Sequence, residues 1–275
     1  YYDITEEGNW EGNSIPRIIM KKSSLSNFLK IPEDKMNESL SKSRIKVKEH
    51  RTSRIPPGTD DKVIVSWNGL MISSLAKASS VLGKKEYFDA ADKAVDFITQ
   101  KMSKKDGTLN RIYRKNVAHI DAFAEDYSYF GNSLIDMYEA SFDSKWLETA
   151  IALCYEMIDL FWDDSKGILY DTSKTHENLI IRPSEWTDNA IPSGASLAVE
   201  VLLKFSIILD EQVFRDIATK ILASMVKLVE QFPSASGQWL NAIDFYTSNH
   251  PEITLSLIHI SEPTRPRLIS YAVFC

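Results

Sequence analysis

The stretch SWNGLM, at residues 66–71, places a polar cluster immediately before a long amphipathic segment. The same arrangement recurs at EDY, residues 125–127, and at PSG, residues 192–194. The positions Trp67, Asp126 and Ser193 lie roughly sixty residues apart, about the length of one helical hairpin with an elaborated loop. Recurrence at a fixed period is typical of repeat architectures. The pattern therefore predicts a helical toroid whose polar clusters share one end, which we call the mouth.

Apolar residues at helical spacing predict helices in three antiparallel pairs. The predicted pairs are residues 67–82 with 86–102, 126–140 with 144–161, and 193–209 with 211–232. Gly83 suits a left-handed helix end, Asp143 or Ser144 can cap the fourth helix, and the connector at Asp210 is short. Because both helices of each pair carry apolar stripes, further pairs must cover them. Three hairpins make half of a six-hairpin ring, so we expect this chain to be a piece of a longer protein, cut at both ends.

The segment before the predicted hairpins has a different character. Residues 1–62 form a connecting segment that leads into the toroid at residues 63–254, and it includes an amphipathic helix from Glu33 to about Arg51. The basic residues of that helix fit a solvated face better than a nucleic-acid surface, because the chain as a whole is acidic.

Residues 255–275 break the helical rhythm and match the translation of a DNA adapter. Leu255 to Arg265 and Ile269 to Cys275 correspond to two ends of a transposase adapter used in short-read library preparation, and the residues between them fit a variable index. We interpret residues 255–275 as a non-native tail and exclude them from fold reasoning. Cys154 is then the one native cysteine, so the sequence predicts neither an intrachain disulfide nor a cysteine-based metal site.

The composition and charge of the chain limit the classes of function that it can have. The chain has 275 residues, 44% of them hydrophobic, which is enough for a large core in one or two domains. Its formal charge of -6 and pI near 5.5 give no support for nucleic-acid binding. With no apolar stretch of membrane-helix length and no signal peptide at its start, we expect a cytoplasmic protein without a membrane partner. No phosphate loop, triad order or metal-ligand spacing stands out, so the sequence predicts neither a cofactor nor a metal.

Other motifs accompany the three clusters: GNWEG at 8–12, DDK at 60–62, YEA at 138–140, FWD at 161–163, RP at 182–183 and HPEI at 250–253. Together, over residues 1–254, they resemble the thioredoxin-domain-containing proteins related to spermatogenesis-associated protein. The resemblance implies a partial (α/α)6 toroid, related to N-acylglucosamine epimerases and inverting glycosidases. It also implies a thioredoxin-like domain before Tyr1 as a partner, and further hairpins after Ile253. The chain departs from the family pattern at Ser128, Tyr129, Asn189 and Ala195.

Candidate site residues come from the polar clusters and from the loops between the helix pairs. The candidate catalytic carboxylates are Asp61, Glu125, Asp126, Glu185 and Asp188. Hydrolysis with inversion requires two such groups, one protonated acid and one base. The candidate substrate-binding residues are Trp67, Asn68, Tyr127, Arg182 and Ser193. The two aromatic rings suit stacking on a sugar, and the three polar side chains can donate hydrogen bonds to hydroxyl or carboxylate groups.

Each candidate also has a structural interpretation. Asp126 and Ser193 can cap helices, Trp67 can pack in the core, and the other carboxylates can pair with a nearby Lys or Arg. Two functions therefore stay open. The first is a carbohydrate-related toroid for sugar binding, hydrolysis or epimerisation, with His119 as the histidine near the mouth. The second is a non-catalytic scaffold attached to a thioredoxin-like domain. In either case we expect the chain alone to be inactive, and the first case gives the intact parent a glycosidase-like or epimerase-like activity.

Overall fold

The computed structural model describes residues 1–176 and 180–250 of the chain. The contacts divide the protein into two units, residues 1–60 and residues 61–275. The predicted adapter-derived tail at residues 255–275 lies outside the described residues.

The first unit contains two helices, α1 (Lys22–Leu29) and α2 (Glu33–Thr52). Helix α2 confirms that a helix forms here, and its lysines and arginines are exposed. The predicted apolar stripe is not buried, because Met36 is the one buried residue of α2 and Ile45 is 57% exposed. Lys42, for example, pairs at 2.7 Å with Glu38 one turn away, and both side chains are mostly in solvent. The basic residues therefore form a solvated face, as the acidic balance of the chain predicts.

The second unit is built from helical hairpins. Its described helices are α3 (Val65–Leu82), α4 (Lys85–Lys101), α5 (Ala124–Ser141), α6 (Ser144–Phe161), α7 (Gly194–Ile208), α8 (Gln212–Gln231) and α9 (Gly237–Thr247). The three predicted pairs are confirmed. Gly83 ends α3 with a φ of 63°, and Asp143 caps α6 by accepting a hydrogen bond from the Lys145 amide at 3.1 Å.

The hairpins form two rows of helices. Helices α3, α5, α7 and α9 pack side by side in chain order, and α4, α6 and α8 each pack against the preceding helix of that row. Helices α5 and α7 are buried along most of their length, whereas the outer helices bury one face. The core lies between the two rows and includes the fully buried rings of Phe161, Phe205 and Phe214.

Two glycines allow the inner helices to approach closely near their N-terminal ends. A Cβ at Gly69 of α3 would lie 2.7 Å from the carbonyl carbon of Tyr129 in α5. A Cβ at Gly194 of α7 would lie 2.9 Å from the backbone nitrogen of Glu125 in α5. Real Cβ atoms do not come this close to backbone, so glycine at both positions lets α3 and α7 pack against the first turns of α5.

Short strands lie in the loops between the hairpins. The described strands are β1 (Val63–Ile64), β2 (Asn110–Arg114), β3 (Val117–Asp121), β4 (Trp162–Asp163) and β5 (Ile168–Leu169). Strand β2 pairs in antiparallel fashion with both β1 and β3, and β4 pairs with β5. Lys115 and Asn116 connect β2 to β3 with positive φ angles of 49° and 62°, as a two-residue hairpin turn with right-handed twist requires.

Helix α9 was not among the predicted helices. It buries Trp239 and Ala242 and packs against α7, which extends the inner row beyond three hairpins. Within the described ranges, every helix falls short of the combination of length and apolar character that a bilayer crossing requires.

Candidate functional site

The N-terminal ends of α3, α5, α7 and α9 lie together and form the mouth with the loops that precede them. Asp126, in the first turn of α5, accepts a hydrogen bond from the Ser66 amide of α3 at 2.9 Å. Asp188 accepts one from the Ser193 amide at 2.8 Å and another from the Gln238 amide of α9 at 2.8 Å. With the contact between α5 and α7 at Gly194, these bonds join the four helix ends in chain order. The three sequence clusters therefore lie at one end of the helix row.

Asp126 has a structural role in this arrangement. Its side chain is fully buried, and besides the Ser66 amide it accepts the amide of the N-cap residue Phe123 at 2.9 Å, as the acidic residue of a capping box does. A guanidinium nitrogen of Arg111 lies 2.9 Å from the same carboxylate. Burial raises the pKa of Asp126, while Arg111 and the two amides oppose that shift. Because each oxygen already has a partner and neither reaches solvent, Asp126 cannot contact a ligand directly.

Arg111, on β2, is a mouth residue that the sequence analysis did not single out. Its other terminal nitrogen lies 2.5 Å from a carboxylate oxygen of Glu125, whose side chain is 27% exposed. The guanidinium also stacks over the Phe123 ring, 4.6 Å from its centroid. Burial by itself lowers the pKa of Arg111, but the charges of Asp126 and Glu125 outweigh burial and raise this pKa above its ordinary value. Glu125 is therefore a carboxylate at the mouth that is held by a permanent cation.

Asp188 and Ser193 organise the ends of α7 and α9. Besides the two amides already named, Asp188 accepts hydrogen bonds from the Ser196 hydroxyl at 2.7 Å and the Trp239 amide at 3.3 Å. The Ser193 hydroxyl accepts the Ser196 amide at 3.1 Å as the N-cap of α7. Both side chains are buried, so they serve the helix ends rather than a ligand.

Tyr127 and Asn68 also make contacts within the protein. Tyr127 is 2% exposed, its hydroxyl accepts the Leu109 amide at 3.0 Å, and its ring meets Phe161 edge to face. The amide group of Asn68 donates to the Ile64 carbonyl at 2.8 Å. The stacking role predicted for Tyr127 is therefore corrected, because a ring buried in the core has no face for a sugar.

Trp67 is the exposed aromatic residue of the first cluster. Its side chain stands next to Ser66, whose amide bonds to Asp126, and it is 59% exposed. An exposed indole at this position has a free face for stacking on an apolar ligand surface. The structure thus leaves Trp67 available for the binding role that the sequence predicts.

Asp61 and Glu185 lie at exposed positions. Asp61 pairs with Arg114, which stands three residues along β2 from Arg111, about 10 Å at the rise of a strand. Glu185 accepts the Thr187 amide at 2.9 Å, and this hydrogen bond lowers its pKa. Asp61 is therefore apart from the pair of Glu125 and Arg111, and Glu185 is engaged by its own loop.

Arg182 holds the loop that follows β5. Its guanidinium lies 4.1 Å from the centroid of the Tyr170 ring and donates to the carbonyl of Thr172. These contacts clamp both neighbours of Asp171, a residue that the sequence analysis did not include. Arg182 is therefore engaged in ordering this loop.

Asp171 lies directly against the start of α5. Its carbonyl accepts the Ala124 amide at 2.9 Å, its amide donates to the Pro183 carbonyl at 2.9 Å, and one carboxylate oxygen accepts the Glu185 amide at 2.8 Å. Burial raises the pKa of Asp171, the hydrogen bond from the Glu185 amide opposes that shift, and the charges of Glu185 and Glu125 add to it. The mouth thus contains a carboxyl group that retains its proton to a higher pH than usual, next to the residue that precedes Glu125.

Solved structures with this arrangement of helices include carbohydrate-active proteins. A GH76 alpha-mannanase of Bacteroides thetaiotaomicron aligns with a TM-score of 0.51 at 16% identity, over 64% of this chain and 46% of that one. A sugar epimerase from a ruminal bacterium aligns with a TM-score of 0.52 at 13% identity, over 60% and 45%. A cellobiose 2-epimerase of Bacillus thermoamylovorans aligns with a TM-score of 0.51 at 11% identity, over 61% and 45%. The fold is that of the (α/α)6 toroids. The predicted fold class is confirmed, and at these identities the likeness concerns the fold alone.

The sequence relatives agree with the resemblance to spermatogenesis-associated proteins that the motifs indicate. The chain is 29% identical over 254 residues to an uncharacterized Caenorhabditis elegans protein, covering 86% of this chain and 34% of that protein. It is 28% identical over 210 residues to human spermatogenesis-associated protein 20, covering 72% of this chain and 26% of that protein. The chain therefore spans between about a quarter and a third of the length of these curated relatives. No model of a known protein family matches it.

Deeper in this toroid, the inner helices repeat a polar spacing below the mouth. Ser66, Glu125 and Ser193 are each followed seven and eleven positions later by polar residues. These residues, which we call the polar layer, are Ser73, Lys77, Asn132, Asp136, Glu200 and Lys204. At the rise of an α-helix they lie about 10 and 16 Å below the mouth.

The polar layer links neighbouring inner helices. Asp136 of α5 accepts a hydrogen bond from the Ser73 hydroxyl and lies 3.2 Å from the Lys77 ammonium, both on α3. Lys204 of α7 donates to the Asn132 side-chain oxygen at 3.0 Å and pairs with Glu200 at 2.8 Å. Because Asn132 is on α5, these contacts join α3, α5 and α7 in order below the mouth.

Glu139, on α5 beside the polar layer, gives the fold a testable pH dependence. Burial raises its pKa, the charges of Asp136 and Glu200 add to the shift, and Lys204 opposes it. A raised native pKa means that stability is lost as the pH rises through that value, because the ionised form is disfavoured in the fold. We expect Glu139→Gln to stabilise the protein at pH 7 by less than about 1 kcal/mol, with the gain vanishing near pH 4.

Melting temperatures measured at both pH values check this prediction for Glu139. Glu148→Gln, at an exposed position of α6, is the control and should leave the melting temperature nearly unchanged at either pH. A gain from Glu139→Gln that persists unchanged in acid would contradict a titration effect.

Proposed function

We propose that the mouth binds a carbohydrate and that Glu125 and Asp171 form the carboxyl pair of a glycosidase-like reaction. The supporting observation is that their environments differ in the way that such a pair requires. Asp171 has a pKa raised by burial, which suits a general acid, and Glu125 is a carboxylate beside the fixed charge of Arg111. Trp67 supplies an exposed ring for stacking on the sugar.

In this proposal the two groups act on opposite sides of the glycosidic bond. Asp171 donates its proton to the leaving-group oxygen as the bond breaks, while Glu125 accepts a proton from the attacking water, whose oxygen bonds to the anomeric carbon. The transition state carries positive charge on the sugar ring, which the carboxylate of Glu125 stabilises. The toroid fold shared with a mannanase and with sugar epimerases supports a carbohydrate ligand.

Hydrolysis is favoured over epimerisation because neither histidine near the described mouth presents a free basic nitrogen to Arg111 and Glu125. His119 is exposed on β3 and is the register partner of Ile112, so its side chain lies on the face of the hairpin opposite to that of Arg111. The ring of His176 lies 5.6 Å from the Phe123 ring, but its Nδ1 accepts the Ser173 amide at 3.0 Å. An epimerase base requires such a nitrogen near neutral pKa, so neither histidine fits that role as it stands.

Binding of a cationic imino sugar tests the proposal without requiring turnover by this chain. Such a compound mimics the charge of the transition state and binds most tightly to an enzyme that stabilises that charge. We expect Glu125→Gln to weaken its binding at least about ten-fold, since a charge-assisted contact contributes roughly 1.5–3 kcal/mol. Binding of the matching neutral sugar should change little. Isothermal titration calorimetry measures both affinities.

Two further variants separate charge from stacking. Glu185→Gln removes an exposed carboxylate of the same region and should leave the imino sugar affinity within about two-fold. Trp67→Ala removes the stacking surface and should weaken both compounds, by about ten-fold. Equal affinity of Glu125→Gln and the unmodified chain for the imino sugar would reject Glu125 as the charge-stabilising group.

A non-catalytic scaffold is the alternative, and the roles of Asp126 and Asp188 favour it. Both were candidate catalytic carboxylates, and both are committed to helix ends in the fold. Under this alternative the toroid supports an attached thioredoxin-like domain in a cytoplasmic protein, and neither the imino sugar nor the neutral sugar binds at the mouth.

A further inference from the structure

Arg111 is held between two carboxylates that differ in exposure. Asp126 is fully buried and lies 2.9 Å from one terminal nitrogen, whereas Glu125 is 27% exposed and lies 2.5 Å from the other. The Phe123 ring lies 4.6 Å below the guanidinium. All three contacts come from the start of α5, so Arg111 docks the β2–β3 hairpin onto the first turn of that helix.

Asp126 differs in this respect from Asp188. Both are buried carboxylates that accept backbone amides from a neighbouring helix end. The partners of Asp188 are amides and one hydroxyl, whereas Asp126 also holds a guanidinium. Capping of helix ends therefore accounts for all contacts of Asp188 but leaves the contact between Asp126 and Arg111 without a capping role.

The orientation of Glu125 depends on this contact. A glutamate side chain that is partly exposed has several rotamers of similar energy, and fixing one costs conformational entropy. The guanidinium of Arg111 is planar and rigid. A carboxylate that binds one terminal nitrogen therefore also fixes the direction of the second terminal nitrogen. Asp126 also accepts the Ser66 amide, so one buried carboxylate bonds the starts of both α3 and α5.

We propose that Asp126 is a positioning residue, which never contacts the ligand but fixes Arg111 and through it the carboxylate of Glu125. That a ligand binds beside Glu125 rests on the proposed function, whereas the fixing of Arg111 by Asp126 does not. When Asp126 loses its charge, Glu125 is the one of these two carboxylates that still forms an ion pair with Arg111. Arg111 and Glu125 then become free to move together into solvent.

The test compares Asp126→Asn with Asp188→Asn by NMR of the arginine side chains. In the unmodified protein the Arg111 Nη–H signal should be sharp and protected from exchange, because Asp126 holds one terminal nitrogen and Glu125 holds the other. Asp126→Asn should broaden the signal or increase its exchange at least about ten-fold, whereas Asp188→Asn, which also alters a buried cap, should leave it unchanged. An Arg111 signal that stays protected in Asp126→Asn overturns the proposal.

A second variant keeps the test valid if Asp126→Asn folds poorly. Arg111→Lys leaves the Ser66 and Phe123 amides capped by Asp126 and retains a positive charge, but an ammonium cannot span two carboxylates in a fixed geometry. We expect Arg111→Lys and Asp126→Asn each to lower the imino sugar affinity about ten-fold, and the Asp188→Asn control to stay within two-fold. Unchanged affinity in a folded Arg111→Lys variant also overturns positioning. Failure of Glu125→Gln to alter binding rejects the proposed function instead, and the Arg111 signal still decides the positioning role.

Discussion

Replacing Gly69 by alanine is expected to destabilise the fold by about 3 kcal/mol, the upper end of the usual cost of overpacking. The added Cβ would lie 2.7 Å from the carbonyl carbon of Tyr129, 2.8 Å from its oxygen and 2.9 Å from the Phe130 nitrogen. These are backbone atoms of α5, so no side-chain rotation can relieve the contact and the two helices must separate. Separation would also pull Ser66 away from Asp126, so the loss should reach the mouth. Chemical denaturation measures the change in unfolding free energy.

Gly131→Ala is the matched control for this prediction. Gly131 is also buried within an inner helix, but a Cβ there meets no atom within 4 Å. Alanine is favoured over glycine in a helix by about 1 kcal/mol, so this variant should be slightly more stable than the unmodified protein. If Gly69→Ala were also more stable than the unmodified protein, helix propensity rather than the contact of α3 with α5 would govern the effect.

The helical layout of the toroid could be predicted because apolar periodicity is a local signal. The predicted helix at 144–161 coincides with α6, and the predicted start at Trp67 lies two residues after the observed start at Val65. Helix α9 was missed because it is short and buries Trp239 and Ala242 alone among its residues. Two buried side chains do not make a stripe that periodicity can detect.

The site was harder to predict because neighbouring helical residues point in different directions. Glu125, Asp126 and Tyr127 occupy one turn, where successive side chains are about 100° apart, so all three cannot face one ligand. In the structure Tyr127 is buried in the core, Asp126 bonds the amides of the helix ends, and Glu125 lies at the surface. The cluster located the mouth, but its sequence could not assign these roles.

Asp171 and Arg111 were missed for a different reason. The contacts of Asp171 come from Ala124, Pro183 and Glu185, which are distant from it in sequence. Its raised pKa follows from burial by those elements and therefore appears only after folding. The polar layer, by contrast, was present in the sequence as a repeated spacing of seven and eleven residues, and a search for polar rather than apolar periodicity would have found it.

Replacing Lys204 by methionine should destabilise the toroid by about 3–5 kcal/mol, the cost of removing one partner from a buried ion pair. The side chain of Lys204 is 9% exposed, and its ammonium bridges Glu200 at 2.8 Å and Asn132 at 3.0 Å. Methionine fills a similar volume but supplies no charge, so the oxygen of Asn132 loses this donor and Glu200 keeps the Gln238 amide group but no cation at this distance. Burial by itself lowers the pKa of Lys204, but the charges of Glu200 and Asp136 outweigh it and raise the pKa. With a raised native pKa, the stabilisation is present through neutral pH and is lost only as the pH rises past the ordinary lysine value of about 10.4.

Lys220→Met is the comparison that separates burial from charge loss. Lys220 pairs with Asp164 at nearly the same distance, 2.7 Å, but the two side chains are 50% and 73% exposed. An exposed pair contributes about 0–1 kcal/mol, so this variant should unfold close to the unmodified protein. Unfolding of both variants in denaturant at pH 7 gives the comparison, and a cost below about 1 kcal/mol for Lys204→Met would mean that the polar layer does not hold α5 to α7 in solution. A large cost confined to Lys204 would instead support a second junction of the inner helices, in which Lys204 of α7 holds Asn132 of α5 below the capped ends at the mouth.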